Sequence, residues 1–398
     1  MYRKCEQIYR QARIQKGERA IDRTRLYFID NLRILLITLV AMLHLAITYG
    51  GAGGWYYKNV PEGTMSVLLT WHNASVQAFS MGLFFLISGY FTVGSYDRKG
   101  PRRFFKDRLL RLGIPLLCYD FVIGPLMAYP LMKVGALEFD GTYTEFLSRY
   151  YSGFHIGTGP LWFVEALLIF AGFYALWRLF EKTPQGSVQD GTKVPDNSTV
   201  AVFALALGTV SFVVRIWLPV GWGFEPLNFQ FPFFPQYICM FIVGIAAYRG
   251  NWLGRIPDAM GRLWLGIGLL LVLAVFPALF ISGGALGGDI SAFLGGFHWQ
   301  CFGYALWEQF TCVGMTIGLL SLFRKRFNRQ ARVSKAMSAS AYTAYIIHAP
   351  VVVLVAIAIR NISLYPLLKF ALAALIAVPL CFALANFIRQ LPLARRIL

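Results

Sequence analysis

Two ionisable residues in the first apolar stretch of the chain, Arg33 and His44, stand eleven positions apart. In a helix that spacing is about three turns plus ~20°, so both side chains leave one face, ~16 Å apart along the axis. A guanidinium presents a rigid fork that suits phosphate oxygens. An imidazole, with a reference pKa of about 6.5, moves protons near neutral pH. The pair therefore offers an anion anchor at one depth and a proton acceptor at another. Arg33 also suits an interfacial anchor that snorkels to the headgroups, and His44 a histidine bonded to a neighbouring helix.

Further candidates lie in other apolar stretches. The second carries Trp71, His72 and Asn73, the fourth opens with Pro160, Leu161, Trp162, Phe163 and Glu165, and the ninth spaces Tyr342, Tyr345 and His348 three apart. Ionisable groups at membrane depth are costly and ask for a reason. His44, His72, Glu165 and His348 are expected to share one layer in the outer half of the membrane, as a site or as a structural polar network. His155 and His298 fall in loops and are read as solvated. Before the third stretch, Arg108 and Arg111 are neighbours on one helix face. They are expected in an N-terminal turn, where the helix dipole disfavours cations and a bound anion would offset the cost. Positive decoration of a membrane edge is the alternative.

The elements that must hold these residues follow from composition. Of 398 residues, 57% are hydrophobic and 14% charged; soluble domains carry about 25% charged residues. Ten apolar runs near the ~20 residues that cross a bilayer are read at 32–50, 65–95, 110–132, 159–180, 199–218, 233–248, 262–282, 300–323, 338–359 and 365–388. The expected fold is all-α, a polytopic membrane bundle of about ten helices. Pro115, Pro125, Pro130 and Pro350 predict kinks.

The net charge is +18, and its distribution sets the orientation. With alternating sides, most Lys and Arg fall on the side of the N-terminus, whereas the other side collects Lys58, Lys133, Arg149 and Arg360. That is the positive-inside pattern and requires an even number of spans with both termini cytoplasmic. The basic residues face lipid headgroups. Base-stacking and groove-reading motifs are absent, so no nucleic-acid partner is expected. Residues 1–26 read as a basic cytoplasmic tail without a signal peptide, and 27–398 as one membrane domain. Residues 133–158 read as an outer loop and 182–198 as a polar, flexible inner linker. The six cysteines form no C-x-x-C pair and read as apolar packing residues; no metal is expected.

These motifs resemble a known family, the integral-membrane acyltransferases of acyltransferase family 3. Arg33 and His44 match its R-x(10)-H, and Arg108 and Arg111 match its R-x-x-R. Phe85 to Tyr90 resembles its F-x-I-S-G-Y, Pro160 to Phe163 its Leu-Trp-Phe helix start, and Ser340 to Pro350 its Y-x-x-Y-x-x-H-x-P. The DNLR start and the YGGAGGWYY stretch look closest to its glucan biosynthesis protein C branch.

The resemblance implies transfer of an acyl group, of acetyl or succinyl type, from cytoplasmic acyl-coenzyme A to a hydroxyl of an extracytoplasmic carbohydrate such as a glucan. The location would be the inner (plasma) membrane. It implies acyl-coenzyme A as co-substrate and no tightly bound cofactor. Arg33, Arg108 and Arg111 would bind the nucleotide phosphates. His44 would be general base, with an acyl-histidine as a second route. Glu165 or His72 would orient His44 or bind the sugar, Asn73 would contact substrate, and His348 and Tyr345 would donate to the oxyanion. Exposed outer aromatics such as Trp55 would stack on sugar or anchor the interface. The competing readings are a proton-coupled transporter or flippase of a polar solute, and a non-catalytic scaffold. The first lacks the matched broken helices of inverted repeats.

Overall fold

The computed structural model describes residues 25–60, 66–153, 157–181, 192–224, 227–392 and 394–397. The N-terminal tail, His155 and most of the 182–198 linker therefore lie outside the described residues. The helices that matter here are α1 (Tyr27–Thr48), α2 (Val67–Arg108), α3 (Ile114–Cys118), α4 (Gly124–Lys133), α5 (Tyr143–Ser152), α6 (Trp162–Phe180) and α7 (Asn197–Trp217). They continue with α8 (Phe234–Arg249), α9 (Asp258–Leu270), α10 (Phe276–Ser282), α11 (Trp299–Arg326), α12 (Arg332–Ala358) and α13 (Pro366–Ile388).

Among the described residues, nine helical segments are long and apolar enough to cross a membrane, and one of them is the run Val67–Lys133. That run accounts for two expected spans. At Gly100 the backbone leaves the helix (φ 69°, ψ 169°), a conformation glycine adopts without a Cβ clash. Pro101 then begins the next helix, where a missing N–H costs nothing. The chain doubles back here: Arg108 Nη2 lies 3.3 Å from Thr92 Oγ1, although sixteen residues of unbroken helix would span ~24 Å. Tyr96 packs edge-on to Phe104 and Lys99 pairs with Asp107 at 2.7 Å. The helix expected at Arg108 and Arg111 thus starts earlier, at Pro101, and the basic stretch is helical on both sides of Gly100. The expected outer loop also contains a helix, α5, which opens with a reciprocal cap between Thr142 and Glu145.

The kinks expected in the third span take a specific form. Five-residue π-helical turns, Leu109–Gly113 and Tyr119–Ile123, precede α3 and α4, whose second residues are Pro115 and Pro125. A proline supplies no N–H to the ladder, and the preceding turn widens around the missing bond. Leu271–Val275 before Pro277 repeats the device.

Long-range bonds fix which helix ends meet. At one end, Asn31 donates to the carbonyls of Phe327 (2.6 Å) and Arg329 (2.9 Å). Tyr342 donates to the Arg111 carbonyl (2.6 Å), and Arg178 pairs with Asp97 (3.4 Å). At the other end, Asn59 N–H bonds the Thr48 carbonyl and Lys369 bonds the Arg360 carbonyl. The basic segments therefore gather at one end, as the charge pattern requires.

α11 and α12 are the most enclosed spans, and the Asp258–Ser282 run is the least. Outward apolar side chains such as Phe180, Leu273 and Leu375 suit lipid rather than water. The α2–α8 contact is close because both helices lose a side chain there. A Cβ on Gly89 would fall 2.1 Å from the Phe241 carbonyl oxygen, and one on Gly244 would fall 2.1 Å from that of Leu86. Small residues let membrane helices touch by backbone. Beside this crossing, Phe85 packs against Phe163 (4.8 Å), Tyr237 (4.9 Å) and Phe170 (5.3 Å), tying α2 to α6 and α8. Gly89→Ala must push two backbones apart. We expect it to destabilise the bundle by ~3 kcal/mol, the upper end for overpacking, read as a lower thermal midpoint in detergent. An unchanged midpoint would contradict the close crossing.

Candidate active site

His44 leaves α1 one turn before the helix ends, and the loop that follows folds back over it. The indole of Trp55 stacks on the imidazole with centroids 3.8 Å apart and planes 14° apart. His348, from α12, is 5.2 Å from His44 and 6.3 Å from Trp55, with planes again near parallel. These three separations form nearly a right angle at His44, so Trp55 lies above the imidazole and His348 lies beside it. His348 Nδ1 contacts the backbone carbonyl of Tyr345, and the Tyr345 hydroxyl donates to the Pro160 carbonyl at the start of the α6 segment. A carbonyl only accepts, so His348 carries its proton on Nδ1, and in the neutral ring Nε2 holds the lone pair.

Three buried polar atoms in this cluster have no hydrogen-bond partner: His44 Nδ1, His348 Nε2 and Trp55 Nε1. Buried polar groups are nearly always paired, so such a concentration marks a place for a ligand.

The expected residues do not all converge. Glu165 sits in the first turn of α6 and accepts from Thr158 Oγ1 (3.1 Å); it has no hydrogen bond to either histidine. His72 faces another way. Its Nδ1 contacts its own neighbour, Asn73 Oδ1 (3.3 Å), its ring meets Phe370 of α13, and it lines an apolar crevice with Leu35, Leu39 and Leu319. Asn73, one step round the helix, does face the site, donating to the Ala52 carbonyl (3.1 Å). The donors expected for an oxyanion, Tyr345 O–H and His348 Nδ1–H, already serve carbonyls.

A cavity of about 340 Å³ adjoins His44, within the ~300–1,000 Å³ of small-ligand sites. Its wall mixes amides and aromatics: Asn73, Gln77, Gln230, Trp162, Tyr237 and Tyr304. Gln77 donates to the Tyr237 hydroxyl (3.0 Å). Behind that wall lies a network that reading the polar residues of the other spans overlooked. Arg215 of α7 pairs with Glu308 of α11 at 2.5 Å, both within 1% of full burial. Gln309 also donates to Glu308 (2.8 Å), and Gln236 donates to Gln309 (3.0 Å) and to the Ala78 carbonyl (2.9 Å). The guanidinium faces the rings of Phe233 (5.2 Å) and Tyr304 (5.5 Å), which line the cavity. The rule that flagged the histidines applies equally to Arg215 and Glu308, each a lone charge in its apolar run.

The other end of the α1 face carries the arginines. Arg33 lies 4.0 Å from Asp30 and 5.0 Å from the Phe91 ring. Arg108 faces Phe104 (5.1 Å), and Arg111 pairs with Asp107 (3.3 Å), a carboxylate that Lys99 also holds. The guanidinium of Arg108 reaches Thr92 Oγ1 (3.3 Å), and its buried Nε has no partner. Arg108 lies about two turns beyond Pro101 rather than in the first turn, so the dipole has little hold on it. A buried guanidinium nitrogen without a partner is what an anion would satisfy. The stripe Tyr342, Tyr345, His348 on α12 runs from Arg111 to His44 and connects the two ends.

The family model for acyltransferase domains matches residues 26–386. Among curated proteins, the glucans biosynthesis protein C of Salmonella paratyphi B, Salmonella heidelberg and Salmonella agona are each 36% identical over 98 residues. That alignment covers 25% of this chain and 24% of each relative. No solved structure matches the chain. Removing one partner of the buried ion pair leaves an uncompensated charge. Glu308→Ala is therefore expected to lower stability by about 3–5 kcal/mol, and a joint Arg215→Met, Glu308→Leu change by much less, in detergent unfolding. Equal losses would show that the pair does not act as a unit.

Proposed function

The chain belongs to the family of acyltransferase domains whose model spans it, and from that premise we propose that it moves an acyl group from cytoplasmic acyl-coenzyme A to a hydroxyl of an extracytoplasmic carbohydrate. It is a multi-pass membrane acyltransferase. The donor, the acceptor and the side-chain roles are our reading. One observation carries it: the face of α1 that holds Arg33 among the clustered arginines holds His44, ~16 Å further along, at the wall of a polar and aromatic cavity.

Arg33, Arg108 and Arg111 take the nucleotide phosphates of the donor, as arginine forks do. The pantetheine arm then follows the α1 face beside the Tyr342 to His348 stripe. The lining of the His44 cavity stops short of the arginines, so the arm enters as α1 and α12 part from the π-wound segment around Arg111. Such turns interrupt regular helix bonding and recur at functional sites. The acceptor occupies the cavity, its ring faces against Trp162, Tyr237 and Tyr304 and its hydroxyls against the amides of Asn73, Gln77 and Gln230. His44 accepts the proton of the attacking hydroxyl. The name of the similar Salmonella proteins, glucans biosynthesis protein C, favours a glucan as acceptor; the inner membrane as location and an acetyl- or succinyl-type acyl group are part of the same proposal.

Purified protein in detergent should release coenzyme A from acetyl- or succinyl-coenzyme A in the presence of a glucose oligosaccharide. His44→Ala should lower turnover by about 10²–10⁴-fold while eluting as the native protein does; native turnover by that variant would contradict the role. Arg108→Ala and Arg111→Ala should each raise KM for the donor about tenfold or more, with kcat little changed and the difference shrinking as salt rises. An unaltered KM in both variants would remove the arginines from donor binding.

A further inference from the structure

We infer that the indole N–H of Trp55 is the donor that holds the oxyanion formed during acyl transfer, an assignment that rests on the acyl-transfer reading above. Trp55 belongs to the loop after α1, and glycines bring it back into the bundle. Gly50 and Gly53 take φ of 110° and 142°, values open to glycine but strained for other residues. Gly51 passes so close to its surroundings that a Cβ would lie 2.7 Å from Asn73 Nδ2 and 2.9 Å from the Ala46 carbonyl oxygen. The loop thereby sets the indole flat on His44 at 3.8 Å. An indole nitrogen can only donate. Here it is buried and unpartnered, on a ring stacked over the imidazole that we assign as the base. The neighbouring donors are committed: the Tyr345 hydroxyl to Pro160, and His348 Nδ1 to the Tyr345 carbonyl. Trp55 Nε1–H is a donor in the stack still without an acceptor, and unlike a nitrogen of His44 it cannot serve as the base; a thioester carbonyl carried up the α12 stripe is an acceptor of the right kind.

The step balances as follows. The acceptor hydroxyl gives its proton to His44, and its oxygen forms a bond to the thioester carbonyl carbon. The carbonyl π electrons move onto oxygen, where Trp55 N–H bonds the developing charge. The carbonyl re-forms, the carbon–sulfur bond breaks, and the departing thiolate takes the proton from His44. The products are the acylated hydroxyl and free coenzyme A. An oxyanion donor matters most in the transition state, so its removal is expected in kcat rather than in KM.

The test compares the native full-length protein, Trp55→Phe, a protein carrying 3-benzothienylalanine at position 55, and His44→Ala. The donors are acetyl- and succinyl-coenzyme A, and the acceptor is a glucose oligosaccharide. Phe keeps an aromatic ring on His44, and benzothienylalanine keeps the shape of Trp while removing only the N–H. Both should lower kcat about 10²–10³-fold with donor KM unchanged. Native kcat in the benzothienylalanine protein overturns the assignment, whatever Phe does to folding. If His44→Ala is inactive in that case, the base role stands and Trp55 alone falls. If His44→Ala turns over at the native rate, the base role falls and the assignment with it. No turnover of either donor by the native protein would overturn the acyl-transfer reading and this inference together.

Discussion

A polar atom enclosed in an apolar bundle must find a partner or be held ready for one, and this constraint organises the whole molecule. Unpaired polar groups in a water-free interior are costly, so most of the buried charges here are paired across helices. Arg215 meets Glu308, Arg178 meets Asp97, and Lys369 meets Asn59 and a carbonyl. The unpartnered nitrogens of His44, His348 and Trp55 differ from those left over in the ion pairs in belonging to three rings with no charged partner between them, the first at the wall of a cavity. Their rings are held by stacking and by the Tyr345 carbonyl, which leaves their remaining polar atoms for substrate. A bundle that satisfied them internally would have no reason to open a polar cavity beside them.

The same logic separates the two ends of the molecule. At the basic end, Arg33 and Arg111 have Asp30 and Asp107 beside them, while the buried Nε of Arg108 is left without a partner. At the other end, the cavity is neutral, aromatic and rich in amides, suited to a neutral polyhydroxylated molecule. α1 and α12 run between the two, and each carries a residue of the site at one end and a tie to the basic cluster at the other. The buried ion pair behind the cavity wall faces Phe233 and Tyr304 from outside, so the shape of the cavity depends on charges that do not line it.

Much of this was legible in the residues. Helix periodicity alone puts Arg33 and His44 on one face, and hydropathy alone delineates the spans. What spacing cannot give is azimuth. His72 and Asn73 are adjacent at one depth, yet ~100° apart round the helix, and packing against α13 decides that only Asn73 meets the cavity. The i, i+3 spacing puts Arg108 and Arg111 on one helix face, but it does not say where that helix begins; Gly100 and Pro101 turn the chain about two turns earlier. Trp55 read as one of several outer aromatics. Its place over His44 depends on glycine conformations and on a passage beside Asn73 too tight for a Cβ at Gly51, both tertiary facts. Arg215 and Glu308 sit in different runs, and nothing in either run names the other as partner.

The central claim is that one extended donor links the arginine cluster to His44. A cryo-electron microscopy map of the protein with an acyl-coenzyme A analogue, its thioester sulfur replaced by methylene, tests it most directly. Phosphate density is expected against Arg33, Arg108 and Arg111, an arm along α1 and α12, and a carbonyl at the Nε1 edge of Trp55, beside His44. Density that binds elsewhere, or that leaves the arginines without reaching the imidazole, would contradict it.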